Sequence, residues 1–156
     1  MSSEHYYKLK LTWTGAKNGP AQLYTAYSRE FQAEYEGKPT ITGSADPSYR
    51  GDASLPNPEE LLVTAIASCH MLTYIALCCR SKFDVVTYVD EAEGIMQLVD
   101  GKMAVTDVVL RPVVTLAAGA DEEKAKQLHQ DAHDQCFITN SVKCDVAIQP
   151  KFTVLQ

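Results

Sequence analysis

The chain has 156 residues, of which 46% are hydrophobic and 22% charged, and its formal net charge is −6 at pH 7. That length and ordinary composition predict a single globular domain over 1–156. An acidic chain of pI ≈ 5.1 lacks the Lys and Arg clusters that nucleic acids and anionic membranes select, so we expect neither as a partner. The first residues show no signal-peptide pattern, and five cysteines do not suggest a disulfide framework; both favour a cytoplasmic protein.

The part of the chain before residue 57 is predicted to be extended strands joined by loops. Alternating apolar residues or Tyr- and Thr-rich composition mark three strands, at 6–13, 22–31 and 38–42. Residues 43–56 are a loop by their glycine and proline content. This loop also carries dense polar chemistry around Arg50, which is more than a connector needs and is typical of functional loops.

The start of a long helix follows at Asn57. An Asn side chain can cap free backbone N–H groups, and Pro58 occupies the position where a missing N–H costs nothing. Glu59 and Glu60 place negative charge at the positive end of the helix dipole, and Arg80 lies at the other end. Glu60 stands three residues after Asn57, which is the spacing of a capping box.

The interior of this helix contains no formally charged residue between Glu60 and Arg80. A transmembrane interpretation is rejected because five polar residues interrupt the run: Thr64, Ser68, His70, Thr73 and Tyr74. A helix that is apolar on nearly all sides is a buried helix in a soluble protein. We therefore predict a central helix that is covered by other elements or by a second subunit, with Cys69 in its middle.

The second half of the chain alternates between predicted strands and one shorter helix. The strands are expected at 85–88, 92–98, 103–116, 143–148 and 152–155, with an Asp-Gly hairpin at 99–102. The helix is expected at 120–135, where acidic residues open an amphipathic pattern. Runs of adjacent strands with few helices predict an α+β fold with antiparallel sheets.

Cys69 and Cys136 are the first candidates for chemistry. They lie 67 positions apart, so the sequence alone does not pair them, and most free cysteines are small buried hydrophobes. Burial raises the pKa of a thiol, and a helix dipole acts only near the helix ends. A reactive Cys69 therefore needs a nearby cation, for which Arg50 is the candidate, with a carboxylate such as Glu59 to hold the guanidinium. Otherwise Arg50 is a solvated loop residue, and Glu59 only stabilises the helix dipole.

A second constellation consists of His129, His133 and Cys136. Their spacing of four and three residues places all three on one face of a helix. Together with Cys69 or His70 they would give the four ligands of a zinc site, although the chain has no short paired-cysteine spacing of the structural zinc type. The alternative is that these histidines are merely packed or solvated.

At these residues the sequence resembles the OsmC/Ohr family of thiol-dependent organic hydroperoxide reductases, and the resemblance covers nearly the whole chain. It is carried by Asn57-Pro58-Glu59-Glu60-Leu61-Leu62 with Cys69 ten residues after Glu59, and by His133-Asp134-Gln135-Cys136. Two departures indicate a less studied branch. His70 follows Cys69 where better-known branches carry Phe, and Phe137 follows Cys136 where they carry Pro.

The resemblance implies a role for each matching residue. Cys69 is expected to be the peroxidatic cysteine and Cys136 the resolving cysteine. Glu59 is expected to be the acidic partner of a catalytic arginine, which is Arg50 by its position before the Asn-Pro-Glu motif, with Arg29 as the alternative. Whether His70 and His133 pack or tune the cysteines is left open.

The resemblance also implies a fold and an activity. The fold is an intertwined homodimer of antiparallel sheets wrapped around long central helices. The activity is reduction of organic hydroperoxides to alcohols through a Cys69 sulfenic acid and a Cys69–Cys136 disulfide, as in bacterial defence against oxidative stress. An external dithiol of the lipoyl type restores both thiols, and no cofactor is needed.

Helix geometry adds one expectation about the homodimer. Glu59 and Cys69 are ten residues apart on one helix, or roughly 15 Å along its axis. A Glu59 that orients an arginine at Cys69 must then come from the second subunit. Two other functions stay open: a small-molecule or redox-ligand binding module with little turnover, and a structural zinc protein.

Overall fold

The structure is a computed structural model that describes residues 4–156. The chain divides into two compact units, the first ending at Leu61 and the second running from Leu62 to Gln156. Within residues 4–156, the units contain three three-stranded sheets and two α-helices, so the predicted α+β class is confirmed. Compactness does not tell whether the chain folds as one domain, so the expectation of a single domain stays a prediction.

The first unit contains one antiparallel sheet in the order β1-β2-β3. Its strands are β1 (Lys10–Trp13), β2 (Phe31–Glu34) and β3 (Ile41–Gly43). Among the described residues of this unit, Ala33 is the only buried hydrophobic side chain, whereas Leu11 is 64% exposed. A three-stranded sheet needs a covered apolar face for stability. This sheet therefore has too little core of its own.

The predicted strand over 22–31 is wrong, because β2 begins only at Phe31. The preceding Tyr-rich segment forms a turn, in which Ala26 N–H donates to the Leu23 carbonyl oxygen over 3.0 Å. The Arg29 guanidinium donates to the carbonyl oxygens of Tyr24 and Tyr27 and lies over both rings. These contacts use up backbone acceptors that a strand would pair with a neighbouring strand.

Helix α1 (Pro58–Arg80) begins and ends where the sequence predicts. Its capping box is confirmed: Asn57 Oδ1 accepts the Glu60 N–H over 2.8 Å, and Glu60 Oε2 accepts the Asn57 N–H over 2.9 Å. By length and composition, α1 is the one helix within residues 4–156 that would satisfy the requirement for a membrane span. The buried residues of α1 pack against strands and a helix of the second unit.

The second unit contains two further sheets, in the orders β4-β7-β9 and β5-β6-β8. The strands are β4 (Val85–Asp90), β5 (Glu93–Val99), β6 (Lys102–Leu110), β7 (Pro112–Leu116), β8 (Asp145–Ile148) and β9 (Lys151–Val154). The Asp100-Gly101 hairpin turn is confirmed, with positive φ at both residues. The predicted strand over 103–116 breaks at Arg111, where its N–H donates to Asp90 Oδ1 over 2.7 Å and the chain changes sheets.

The expectation of purely antiparallel sheets is wrong for the last two strands. β8 pairs in parallel with β6, and β9 pairs in parallel with β7. The connection that makes this possible is helix α2 (Glu122–Gln135), which starts at the Asp121 cap. A crossover of this length returns the chain in its original direction, whereas a tight hairpin reverses it.

Two hydrophobic clusters hold α1 in the second unit. One combines Tyr74 and Cys78 of α1 with buried residues of β7 and α2, and the other packs Ile66 against Val108 and Leu110 of β6. The buried residues of α1 thus form a single stripe, Ile66, His70, Tyr74 and Cys78, at a spacing of four. On the opposite face of α1, Leu72 is 63% exposed.

Candidate functional site

Cys69 and Cys136 lie next to each other in the second unit, close enough that each side chain shifts the pKa of the other. Cys69 comes from the middle of α1 and is half-buried. Cys136 is the residue at which α2 ends, and its side chain is completely buried. Both thiols are free. The fold therefore brings together two cysteines that their spacing in the sequence could not pair and that the family resemblance implied as partners.

The surroundings of the two sulfurs differ. Burial raises the pKa of the Cys69 thiol, and hydrogen bonds from the backbone of Ile138 and Phe137 oppose that rise only in part. Burial also acts to raise the pKa of Cys136, but hydrogen bonds from Thr139, from the Cys69 side chain and from the Ile138 backbone together lower it below its usual value. Cys136 is therefore the more acidic member of the resting pair.

The donors to Cys136 come from the segment directly after α2. The Thr139 N–H donates to Cys136 Sγ over 3.4 Å, and the Thr139 hydroxyl oxygen is buried without a conventional hydrogen-bond partner. Sequence analysis missed Thr139. The available signal was the run Phe137-Ile138-Thr139, which contains no proline and so leaves three backbone N–H groups free beyond the helix end.

A groove of ≈ 750 Å³ opens beside Cys69. Its walls are mainly apolar and come from one face of α1 and from the segment around Phe137 and Ile138; Arg80, Gln135 and Asn140 add polar groups. The volume is that of a small-molecule site. An organic molecule can therefore reach Cys69 from solvent, whereas Cys136 lies behind it.

The predicted zinc constellation does not assemble. His129 Nδ1 lies 2.9 Å from His70 Nε2 in a direct hydrogen bond, so the two rings bind each other. Among residues 4–156, no group of three or more His, Cys, Asp and Glu side chains is arranged to hold a metal ion. Burial lowers the pKa of His70, and the nearby His133 lowers it further.

The candidate arginines, Arg29 and Arg50, lie in the first unit together with Glu59. Arg50 has left-handed backbone geometry (φ 68°) after the 3₁₀ helix Pro47–Tyr49, is exposed, and donates to the Thr25 carbonyl oxygen over 3.4 Å. Arg29 is engaged with Tyr24 and Tyr27, as described above. Glu59 is half-buried in the first turn of α1. The choice of catalytic arginine and its pairing with Glu59 stay predictions.

Residues 51–151 match the family described as OsmC-like protein. The chain belongs to the OsmC-like family. Its expected fold is confirmed by an OsmC-like protein of unknown function from Vibrio cholerae, which is 33% identical, with a TM-score of 0.85 over 96% of this chain and 100% of that one. An uncharacterized Bacillus subtilis protein, YmaD, is 26% identical over 97% of this chain and 96% of its own length.

The OsmC-like fold also links this chain to hydroperoxide resistance proteins. The structure of the organic hydroperoxide resistance protein OhrB of Bacillus subtilis is similar, with a TM-score of 0.59 at 18% identity, over 94% of this chain and 98% of OhrB. At that identity the likeness concerns the fold. The suspected relationship to the OsmC/Ohr family is therefore confirmed at the level of family and architecture.

Proposed function

We propose that this OsmC-like protein is a thiol-dependent peroxidase that reduces organic hydroperoxides to alcohols and thereby protects the cell against oxidative stress. The observation that carries the proposal is the contact between the Cys69 and Cys136 side chains. A thiol that reacts with a peroxide becomes a sulfenic acid, and a second thiol within contact converts it to a disulfide before further oxidation.

The asymmetric burial of the two cysteines supports separate roles. Cys69 borders the groove and meets the peroxide, so its thiolate attacks one peroxide oxygen and the alcohol leaves. Cys136, which is completely buried, is protected from peroxide and acts as the resolving thiol. The apolar groove wall favours an organic peroxide over hydrogen peroxide.

Cys69 needs help to become a thiolate, because its own surroundings raise its pKa. We assign this help to Arg50, which would stabilise the thiolate and polarise the peroxide oxygens. Glu59 would hold the guanidinium in place. Since Glu59 stands ten residues before Cys69 on one helix, the partner subunit's Glu59 is the one we expect at the site.

A homodimer is part of the proposal. It is supported by the first-unit sheet, which has Ala33 as its only buried hydrophobic side chain among the described residues and leaves Leu11 of β1 64% exposed. Large exposed apolar surfaces mark places where another surface packs. We also propose that the protein acts in the cytoplasm, because a reducing compartment keeps both thiols available. The proposed reductant is an external dithiol of the lipoyl type.

The test is a thiol count and an intact mass before and after one equivalent of cumene hydroperoxide, without reductant. The expected result is loss of two thiols and of two mass units per chain, absent in Cys69→Ser. Cys79→Ser is the matched control, since Cys79 is exposed at the far end of α1 and has no proposed role. If all thiols stay free, the peroxidase proposal fails and the groove favours a binding module for an apolar ligand.

A further inference from the structure

The difference in access between the two sulfurs determines how a disulfide between them can be reduced. Cys69 lines the open groove, whereas Cys136 has no accessible surface. Thiol–disulfide exchange requires a thiolate to reach one sulfur while the other sulfur leaves. Only the Cys69 side offers an approach from the groove. The fold therefore determines which sulfur is attacked and which sulfur leaves.

The departing sulfur is stabilised by groups that the peroxide step does not use. The Thr139 N–H already donates to Cys136 Sγ over 3.4 Å, and the Thr139 hydroxyl is a buried donor that lacks a conventional partner. A negative sulfur is a stronger acceptor than a thiol, so both contacts strengthen when Cys136 leaves as an anion. Hydrogen bonds from Thr139 also act to lower the pKa of Cys136, and a more acidic thiol leaves faster.

We propose that the reducing thiol attacks Cys69 Sγ through the groove and that Cys136 leaves as a thiolate held by the N–H and hydroxyl of Thr139. This inference rests on the disulfide of the proposed function and adds Thr139 as a catalytic residue of its reduction. It also fixes Cys69 as the site of the mixed disulfide with the reductant.

The electrons and atoms balance in two exchange steps. The first thiolate of the dithiol forms a bond to Cys69 Sγ while the Cys69–Cys136 bond breaks, and the electron pair leaves on Cys136 Sγ. The second thiol of the dithiol then attacks the reductant sulfur of the mixed disulfide, which closes the reductant's own disulfide and releases Cys69. The dithiol loses two electrons, and its two protons reach the two cysteines through solvent.

The direction of attack is tested on the full-length chain, in which diamide is used to form the disulfide. Because no peroxide is involved, this test does not depend on whether the protein reduces peroxides. The oxidised protein is treated briefly with 2-mercaptoethanol, a monothiol that cannot close a disulfide of its own and completes the second step only through another molecule. The reaction is stopped with acid, and free thiols are then labelled with N-ethylmaleimide in denaturant, where Cys136 is accessible. Peptide mass mapping is expected to find mercaptoethanol on Cys69 and maleimide on Cys136. The reverse pattern, an equal mixture, or no Cys69–Cys136 disulfide after diamide overturns the proposal.

The role of Thr139 is tested with a matched pair of variants. Thr139→Val keeps the shape and the backbone N–H but removes the hydroxyl, and Thr139→Ser restores it. We expect Thr139→Val to slow reduction by roughly three- to tenfold, because the leaving sulfur loses one charge-assisted hydrogen bond. The pH midpoint of the Cys136 thiolate absorbance, taken as the difference between each protein and its Cys136→Ser counterpart, should rise in Thr139→Val and return in Thr139→Ser. An unchanged midpoint in Thr139→Val removes Thr139 from the mechanism.

Discussion

His129 of α2 lies between two side chains of α1, with its ring stacked on Tyr74 at a centroid distance of 3.7 Å and joined to His70 by a hydrogen bond of 2.9 Å. Both histidines are buried, and each has a second ring nitrogen without a partner. One neutral ring donates to the other, and burial of both rings disfavours a charge on either of them. The core between α1 and α2 thus contains two histidines that must stay neutral.

This pair predicts acid instability. Burial lowers the pKa of His70 to about 4 and that of His129 to about 3, while a histidine in the unfolded chain titrates near its usual value of 6.5. As the pH falls below about 6.5, the unfolded state binds protons that the folded state excludes, so stability falls until the folded values are reached. Down to the folded values, the shifts correspond to about 3 kcal/mol for His70 and about 5 kcal/mol for His129.

The measurement is the free energy of unfolding from urea titrations between pH 7.5 and pH 4. His129→Phe keeps an aromatic ring in the stack and should flatten the slope below pH 6.5. The exposed His5 provides the control, because His5→Gln should leave the slope unchanged. Equal slopes in wild type and His129→Phe would contradict the assignment.

The two cysteines should differ in single-turnover experiments. Cys69→Ser should abolish peroxide consumption, because the accessible nucleophile is gone. Cys136→Ser should keep the first turnover and then convert Cys69 to sulfinic acid, because no neighbouring thiol captures the sulfenic acid. Intact mass after stepwise addition of peroxide distinguishes the two results. Equal loss in both variants on the first turnover would contradict the separate roles.

Arg50 and Arg29 should also differ. Arg50→Gln is expected to slow oxidation of Cys69 by about a hundredfold, the effect of removing one electrostatic stabiliser from an active site. Arg29→Gln should leave that rate near wild type, because the Arg29 guanidinium is engaged with the carbonyl oxygens of Tyr24 and Tyr27. Stopped-flow oxidation of the reduced protein checks both. The opposite order would transfer the catalytic role to Arg29.

Asn57→Ala should lower stability through the start of α1. The substitution removes the acceptor for the Glu60 N–H, and a lost N-cap costs about 1 kcal/mol. Asn57→Ser retains a capping oxygen and should recover most of that loss. Urea midpoints followed by circular dichroism compare the three proteins. A Ser variant as unstable as the Ala variant would show that the capping oxygen is unimportant.

Leu11→Asp should weaken the proposed homodimer, because it places a charge on an exposed apolar position of the first-unit sheet, which has too little core of its own. Light scattering is expected to show twice the chain mass of 17.2 kDa for wild type and the chain mass for the variant. Leu11→Met keeps the position apolar at a similar volume and is the matched control. A dimeric Leu11→Asp protein would move the interface away from this sheet.

Local sequence determined the elements whose signals are short-range. The boundaries of α1, its capping box and the Asp100-Gly101 turn follow from neighbouring residues, because a cap or a tight turn involves groups only a few positions apart. The order of strand and helix patterns predicted the α+β class, and the family motifs around Glu59 and Cys136 predicted the OsmC-like fold. The cysteine roles derived from those motifs await the oxidation experiments.

Tertiary structure alone decided what depends on distant segments. The parallel pairing of β8 and β9 requires the crossover through α2, and the turn around Arg29 replaces a strand that local composition favoured. The contact of Cys69 with Cys136 and of His70 with His129 arises because α1 and α2 pack side by side, and no local pattern encodes that distance. For the same reason the acidity of Cys136 was invisible in the sequence: a thiol pKa is set by the burial and hydrogen-bond donors that packing places around it.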